Sequence, residues 1–232
     1  MKHLFFAVYL VALLCSSKKV DPYPIPNTQT YSLIGNVELL IEKSQLIHLD
    51  ANLNYTVDTI KHNGLTKYYY FNRLLELDSM LIAKQDTQFF SKVVFFKPLV
   101  ADRITSSIFT MNGIRTMITK HVKTEKNIVF CKNYDNKKGL HSKTEEKWEN
   151  SKIVWSKWES TLSSSYQEQL FEFDANGFET VIKSRLHKKD EFTIYKVVYL
   201  EWDALGNWTK RIEYNESDLT GSVVSRQIKY RK

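Results

Sequence analysis

Tyr199-Leu-Glu-Trp-Asp-Ala-Leu-Gly-Asn-Trp-Thr-Lys-Arg-Ile-Glu-Tyr214 sets Asp203, two tryptophans, an amide and two cations within a few residues. Such a cluster reads as a working site or as a turn. Asp is suited to accept backbone N–H bonds at the start of a turn. Gly three residues later can take a positive φ, as in a type I turn closed by a G1 bulge. The flanking residues alternate as strands do. Period two places Trp208, Lys210, Ile212 and Tyr214 on one side, and Thr209, Arg211 and Glu213 on the other. In Thr193–Trp202, Ile194, Val198, Leu200 and Trp202 share a face with Lys196, and Tyr195, Val197 and Tyr199 lie opposite. Both faces of that strand are substantially apolar.

The device recurs. Leu170-Phe-Glu-Phe-Asp174-Ala-Asn-Gly177-Phe repeats the aromatic, the Asp-x-x-Gly and the following aromatic. Val129-Phe-Cys-Lys-Asn-Tyr134-Asp135-Asn-Lys-Lys-Gly139 is a third copy with one extra residue before Gly139, and Tyr69-Tyr-Phe-Asn72 is a fainter trace without the glycine. A turn is needed at every hairpin and an active site only once. Asp135/Gly139, Asp174/Gly177 and Asp203/Gly206 are therefore read as structural turns. From about residue 52 onward, short runs rich in Val, Ile, Tyr, Phe, Trp and Thr recur, many of them separated by Asn-Gly or similar turn residues. The expected fold is all-β, an antiparallel meander of repeated hairpins, with stacking or a solenoid-like arrangement open to it. Val37–Leu49 suits a strand pair or a short helix, because periodicity does not separate the two in so short a run.

The stretch Trp202-Asp-x-x-Gly206-Asn-Trp-x-Lys-Arg211 resembles the repeats of Bacteroidetes envelope lipoproteins of unknown function. More loosely it is similar to YD-type repeat proteins, where Tyr-Asp-x-x-Gly marks each hairpin. The resemblance covers residues 129–232 well and the first half of the chain poorly. It implies an exported, non-catalytic meandering sheet.

The N-terminus reads as an address. Lys2 and His3 precede an uncharged run from Leu4 to Leu14, followed by Cys15-Ser-Ser-Lys-Lys. A short basic region before an apolar run of this length describes a secretory signal, and the run is too short to span a bilayer. Residues 1–14 are expected to be a signal peptide. They resemble a bacterial lipoprotein signal, in which Cys15 becomes the acylated first residue, although Leu14 stands where a small residue is usual. Residues 15–30, with three of the four prolines, read as a lipid anchor and extended tether. The domain is expected over 31–232, its repeats clearest in 128–232. The expected location is the cell envelope, on an outer-membrane or periplasmic-facing lipoprotein, or outside the cell if Cys15 is not acylated. Cys131 lies in an apolar run and reads as a small buried hydrophobe.

The net charge of +7 comes from basic residues scattered among acidic ones, which reads as a solvated surface and excludes a nucleic-acid face. No HExxH, CxxC, Gly-x-Ser-x-Gly or Gly-rich phosphate loop occurs. No cofactor, no metal site and no catalytic residue is expected. The functional lead is aromatic: Trp148, Trp155 and Trp158 are candidate binding residues, with Trp155 and Trp158 facing opposite ways on one strand. The expected role is a non-enzymatic protein, anchored to the membrane by lipid, that binds a protein or glycan through a sheet surface. The alternatives are a structural or assembly role, an immunity-type protein, and a hydrolase with a dispersed site.

Overall fold

Four of the corners share one hydrogen-bond pattern. At Asp203 the backbone N–H of Gly206 bonds the aspartate carbonyl at 3.1 Å and the pair closes through Asp203 N–H to Asn207 O at 2.8 Å. Oδ1 of Asp203 accepts from the N–H of Leu205 and of Asn207, both at 2.9 Å. Gly206 has φ +83°. Asp174 repeats this with Asn176, Phe178 and Gly177 (φ +81°). Asn72 does so with Leu74 and Glu76, and Asp50 with Asn52 and Asn54. In these two, Leu75 and Leu53 hold the positive φ, at 62° each, a conformation that strains a residue with a Cβ. Asp135 shares the bonds to the residue four on, its N–H to Gly139 O at 3.0 Å and its Oδ1 from Gly139 N–H at 2.9 Å, but here that residue is the glycine, and it lacks the positive φ.

The computed structural model describes residues 27–58, 64–84, 89–95, 103–110, 113–135 and 139–232. The signal, Cys15 and most of the tether lie outside them, as do Asn63 and Asn112 of two expected turns. The strands are β1 (Val37–Leu49), β2 (Tyr55–Val57), β3 (Leu65–Phe71), β4 (Leu77–Lys84) and β5 (Phe89–Phe95). They continue with β6 (Arg103–Thr110), β7 (Gly113–Glu125), β8 (Ile128–Asp135), β9 (Leu140–Glu149) and β10 (Lys152–Ser160). The last are β11 (Tyr166–Phe173), β12 (Glu179–Arg185), β13 (Thr193–Trp202), β14 (Trp208–Asn215) and β15 (Thr220–Tyr230). The segment left open as a strand pair or helix is the single long strand β1.

The sheet is an antiparallel meander, as expected, and it closes. From β3 to β15 each strand pairs with the next, and β1 pairs with β3 on one edge and with β15 on the other, from Val37↔Tyr230 to His48↔Thr220. β2 pairs with the far end of β1 as a short flap. Closure replaces the stacked or solenoid arrangement, and it removes the free edges that an open meander would present.

Register identifies the inner face. Glu42, Tyr69, Glu146, Ser156, Gln169, Phe171, Glu179, Arg211 and Arg226 line one cavity although they come from strands all round the ring. Side chains alternate from there: Val129, Cys131 and Asn133 point inward and are buried, while Ile128, Phe130 and Lys132 take the other face. Outward residues of β9–β12 form ion pairs: Lys157–Glu145 (2.8 Å), Lys183–Glu172 (2.5 Å) and Arg185–Glu168 (2.6 Å), with Lys188–Glu159 (2.8 Å) beside them. That flank is a charged surface suited to water.

Two expected facings are overturned. Trp202 leaves the face of Ile194 and Val198 for that of Tyr199 and Trp208. Trp208 does not share the side of Lys210 and Ile212. Its ring lies under Arg226, 3.4 Å from the guanidinium carbon, and 4.6 Å from that of Arg211. Register shifts between Tyr199 and Glu201 and between Glu201 and Trp202 place Trp208 opposite Trp202 and Lys210 opposite Glu201. Each bulge adds one residue to one strand, which reverses the alternation beyond it. Tyr199 stands between the two tryptophans, 5.4 Å from Trp202 and 5.7 Å from Trp208.

The chain before β1 closes one end of the barrel. Thr28 and Leu33 are buried, Thr28 N–H bonds Leu75 O, and Asn27 bridges Glu76. Residues 27–30, assigned to the tether from sequence, thus belong to the folded unit. This end carries the tight corners at 72–76, 126–127, 150–151, 174–177 and 203–206, and the opposite end carries the loops 50–54, 161–165 and 186–192.

Gly221 is the glycine with least room: a Cβ there would sit 2.1 Å from Glu213 O and 2.8 Å from the Cα of Tyr214. At Gly206 the nearest atom to such a Cβ is 3.9 Å away, so only left-handed strain opposes substitution. Gly206→Ala is expected to cost about 1–2 kcal/mol, and Gly221→Ala clearly more, because backbone of β14 must move. Chemical denaturation of both variants checks the order, and equal losses would contradict it.

Candidate functional site: the barrel lumen

The plugged half of the lumen is built on a buried ion pair. Glu42 and Arg226 face each other across the β1–β15 seam. Oε1 of Glu42 accepts from Nε of Arg226 at 2.8 Å and lies 2.7 Å from Nη2, and Tyr69 donates its hydroxyl to Oε2 at 2.9 Å. Arg226 also donates to Tyr31 O at 3.0 Å, which ties the plug to the seam. Burial opposes ionisation of Glu42, but Arg226 and Lys67 outweigh it and hold the carboxyl below its usual range. Next to this pair, Arg211 bridges Glu179 at 2.6 Å and Glu213 at 2.5 Å, while its Nε has no partner. Trp208 lies between the two guanidiniums, a cation–π arrangement that gains strength when desolvated.

The plug itself is held by polar side chains from four strands and corners. Asn207, fully buried, accepts from Ile34 N–H at 2.5 Å and donates to Ile34 O at 3.0 Å and to Tyr230 Oη at 2.6 Å. Tyr230 in turn donates to Asp203 Oδ2. Burial and that carboxylate together push the Tyr230 hydroxyl up to about 12. Lys152 Nζ donates to Ser32 Oγ at 2.8 Å and Gln29 O at 3.1 Å, and Ser32 donates to Gly177 O. The Asp-x-x-Gly corners at 174 and 203 therefore do more than turn the chain: they present the groups that seat the plug. Between the plug and the ion pairs lies a cavity of about 320 Å³.

The other half of the lumen opens outward. Gln169, which borders the inner cavity, also lines a mouth of about 490 Å³. The mouth is shared by Leu46 and His48 of β1, Ile182 and Ser184 of β12, Tyr195 of β13, Glu213 of β14 and Ser222 of β15. Asp58, beyond β2, approaches His48 Nε2 at 3.7 Å. Among the described residues, the Gln169 amide and the hydroxyls of Ser184, Tyr195 and Ser222 have no hydrogen-bond partner. This site was not legible as a motif, because no strand contributes more than three residues to it.

The candidate tryptophans are placed as follows. Trp148 is buried on the lumen side with Val129, Cys131 and Ile153, and donates to Glu146 at 3.1 Å. Trp155 is half-buried in the outer ion-pair ladder and donates to Glu168 at 2.8 Å. Trp158 shares the inward face of β10 with Ser156. The two do face opposite ways, but the three never form an exposed strip. Among the described aromatic residues Trp202, 46% exposed, is the one that reaches solvent freely. Burial pushes the Cys131 thiol up to about 12, with Glu146 adding to it, which leaves it without nucleophilic character. Among the described residues no three His, Cys, Asp or Glu side chains cluster as metal ligands.

No protein-family model matches the chain, and no curated protein does. Among solved structures it is similar to a porin-like protein from Bacteroides uniformis, at 11% identity and a TM-score of 0.38, over 90% of this chain and 99% of that one.

Glu42→Gln is expected to destabilise the fold by about 3–5 kcal/mol, since it leaves Arg226 buried without its charge partner. The depressed Glu42 carboxyl implies that its contribution is present above the ordinary carboxylate range and is lost as pH falls through its lowered folded value. Urea midpoints of the wild type should fall on acidification more steeply than those of Glu42→Gln. Parallel pH profiles would remove Glu42 as the acid-sensitive group.

Proposed function

We propose that the protein is a non-enzymatic, exported, lipid-anchored envelope protein that captures its partner, a protein segment or a glycan, in the mouth of the barrel. The observation that carries this reading is the convergence of polar side chains from β1 and β11–β15 on one open cavity of about 490 Å³, within the size range of ligand sites. The outer sheet face is the weaker candidate. Its tryptophan is engaged with Glu168, and its β9–β12 flank is an ion-pair ladder. Such charges would cost about 2–4 kcal/mol each for Lys or Arg at a bilayer midplane, which supports a barrel that stands in water.

Anchorage gives the mouth a direction. The chain from Cys15 to Asn27 reaches at most about 40 Å when fully extended, and it enters at the plugged end. A diacyl anchor at Cys15 would hold that end toward the membrane and the mouth away from it.

Two measurements test the proposal. Cys15→Ser is expected to move the protein from the membrane fraction to the soluble one, and an unchanged distribution would sink the anchor. Immobilised protein is expected to retain material from purified envelope polysaccharide or protein fractions. Retention should be lost in Ser222→Phe, which fills the mouth, and kept in Trp155→Ala. The reverse pattern would assign binding to the outer face.

A further inference from the structure

We infer that the mouth takes a neutral carbohydrate, the size of a mono- or disaccharide. This rests on the mouth being the binding site. Four polar groups line it without protein partners: the Gln169 amide and the hydroxyls of Ser184, Tyr195 and Ser222. Together they offer both donors and acceptors, and they sit on four strands, so they converge from several sides. A ligand rich in hydroxyls satisfies such a set, whereas an apolar ligand would leave the groups unpaired where water is excluded, which is costly.

The charges at the site exclude the ionic alternatives. Glu213 is already paired with Arg211 at 2.5 Å, and Asp58 stands 3.7 Å from His48. Among the described residues lining the mouth there is no Lys or Arg, so a phosphate or carboxylate finds no fixed cation among them. An ammonium would have to displace Arg211 from Glu213, or compete with the existing partners of Asp58, to gain a carboxylate. Leu46, Ile182 and the Tyr195 ring supply apolar surface beside the hydroxyls. A sugar ring presents that combination, with C–H groups on its faces and hydroxyls at its rim.

The experiment is calorimetric titration of the full chain with glucose, galactose, mannose, N-acetylglucosamine and disaccharides of each. Glucuronate, glucosamine and glucose 6-phosphate serve as charged comparators. At least one neutral sugar is expected to bind tenfold or more tightly than its charged counterpart. Tyr195→Phe and Ser222→Ala should each weaken it about tenfold with an unchanged melting temperature, and Trp155→Ala should leave it alone. Binding of no neutral sugar, preference for a charged one, or indifference to both mouth variants would overturn the inference. The mouth reading fails separately. If sugars do not bind but Ser222→Phe and Ser184→Phe, both shown to melt as the wild type does, abolish retention of envelope material, only the ligand class falls. If retention ignores both fillings, the mouth falls with it.

Discussion

Glu42 and Arg226 meet where the first and last strands of the ring join, and the rest of the structure depends on that seam. Backbone bonds along β1 and β15 close the sheet, but bonds alone do not choose a register. A slip of β15 by one residue against β1 would turn Arg226 outward and leave Glu42 facing the lumen, opposite Ser225 or Gln227. The buried pair penalises that slip, because Glu42 left buried without its partner costs far more than the pair does. Trp208 stacks beneath Arg226, and Tyr31 O caps it. One side chain thus links the seam, the β13–β14 corner and the plug.

From this constraint the division of the lumen follows. Near the seam and the plug the interior is filled by the ion pairs, Tyr31, Tyr69, Phe171 and Trp208. Under β7–β9 it is filled by Val129, Cys131 and Trp148, and by Asn133, whose amide spans Ser142 and Thr144 and whose oxygen accepts from Thr119. These groups satisfy one another and leave little for a ligand to do. Toward the loop end the inward residues of β11–β15 include Gln169, Ser184, Glu213 and Ser222 beside Ile182 and Tyr195, and the wall stands open. The binding surface lies where the filling stops.

The turns were readable because their chemistry is local. Asp174 and Asp203 bond N–H groups two and four residues on, and a glycine three residues on takes the positive φ, all within one short stretch of chain. Asn72 was visible as a trace of the same device. Asp50 was not, since Leu53 occupies the glycine position and no composition signal marks it. Asp135 shares with the others the pair of bonds to the residue four on, but there that residue is the glycine itself, and it lacks the positive φ. The placement of Trp208 failed for a related reason. Alternation holds only while two strands stay in step, and bulges at the 203–206 corner depend on how both strands pair.

The amino-acid sequence by itself determined the class of structure: strands from β-branched and aromatic runs, corners from Asp, Asn and Gly, a meander from their regular spacing. Those properties belong to single residues and their near neighbours. Only the tertiary structure decided that the meander closes, that residues 27–34 seal one end, and that Trp148 and Trp158 face the lumen while Trp155 joins an outer ladder. Closure pairs residues such as Glu42 and Arg226 that lie at opposite ends of the chain, and no local pattern records which face of a curved sheet becomes the inside. The mouth shares that origin, since it exists only where curvature brings one residue from each of several strands to the same space.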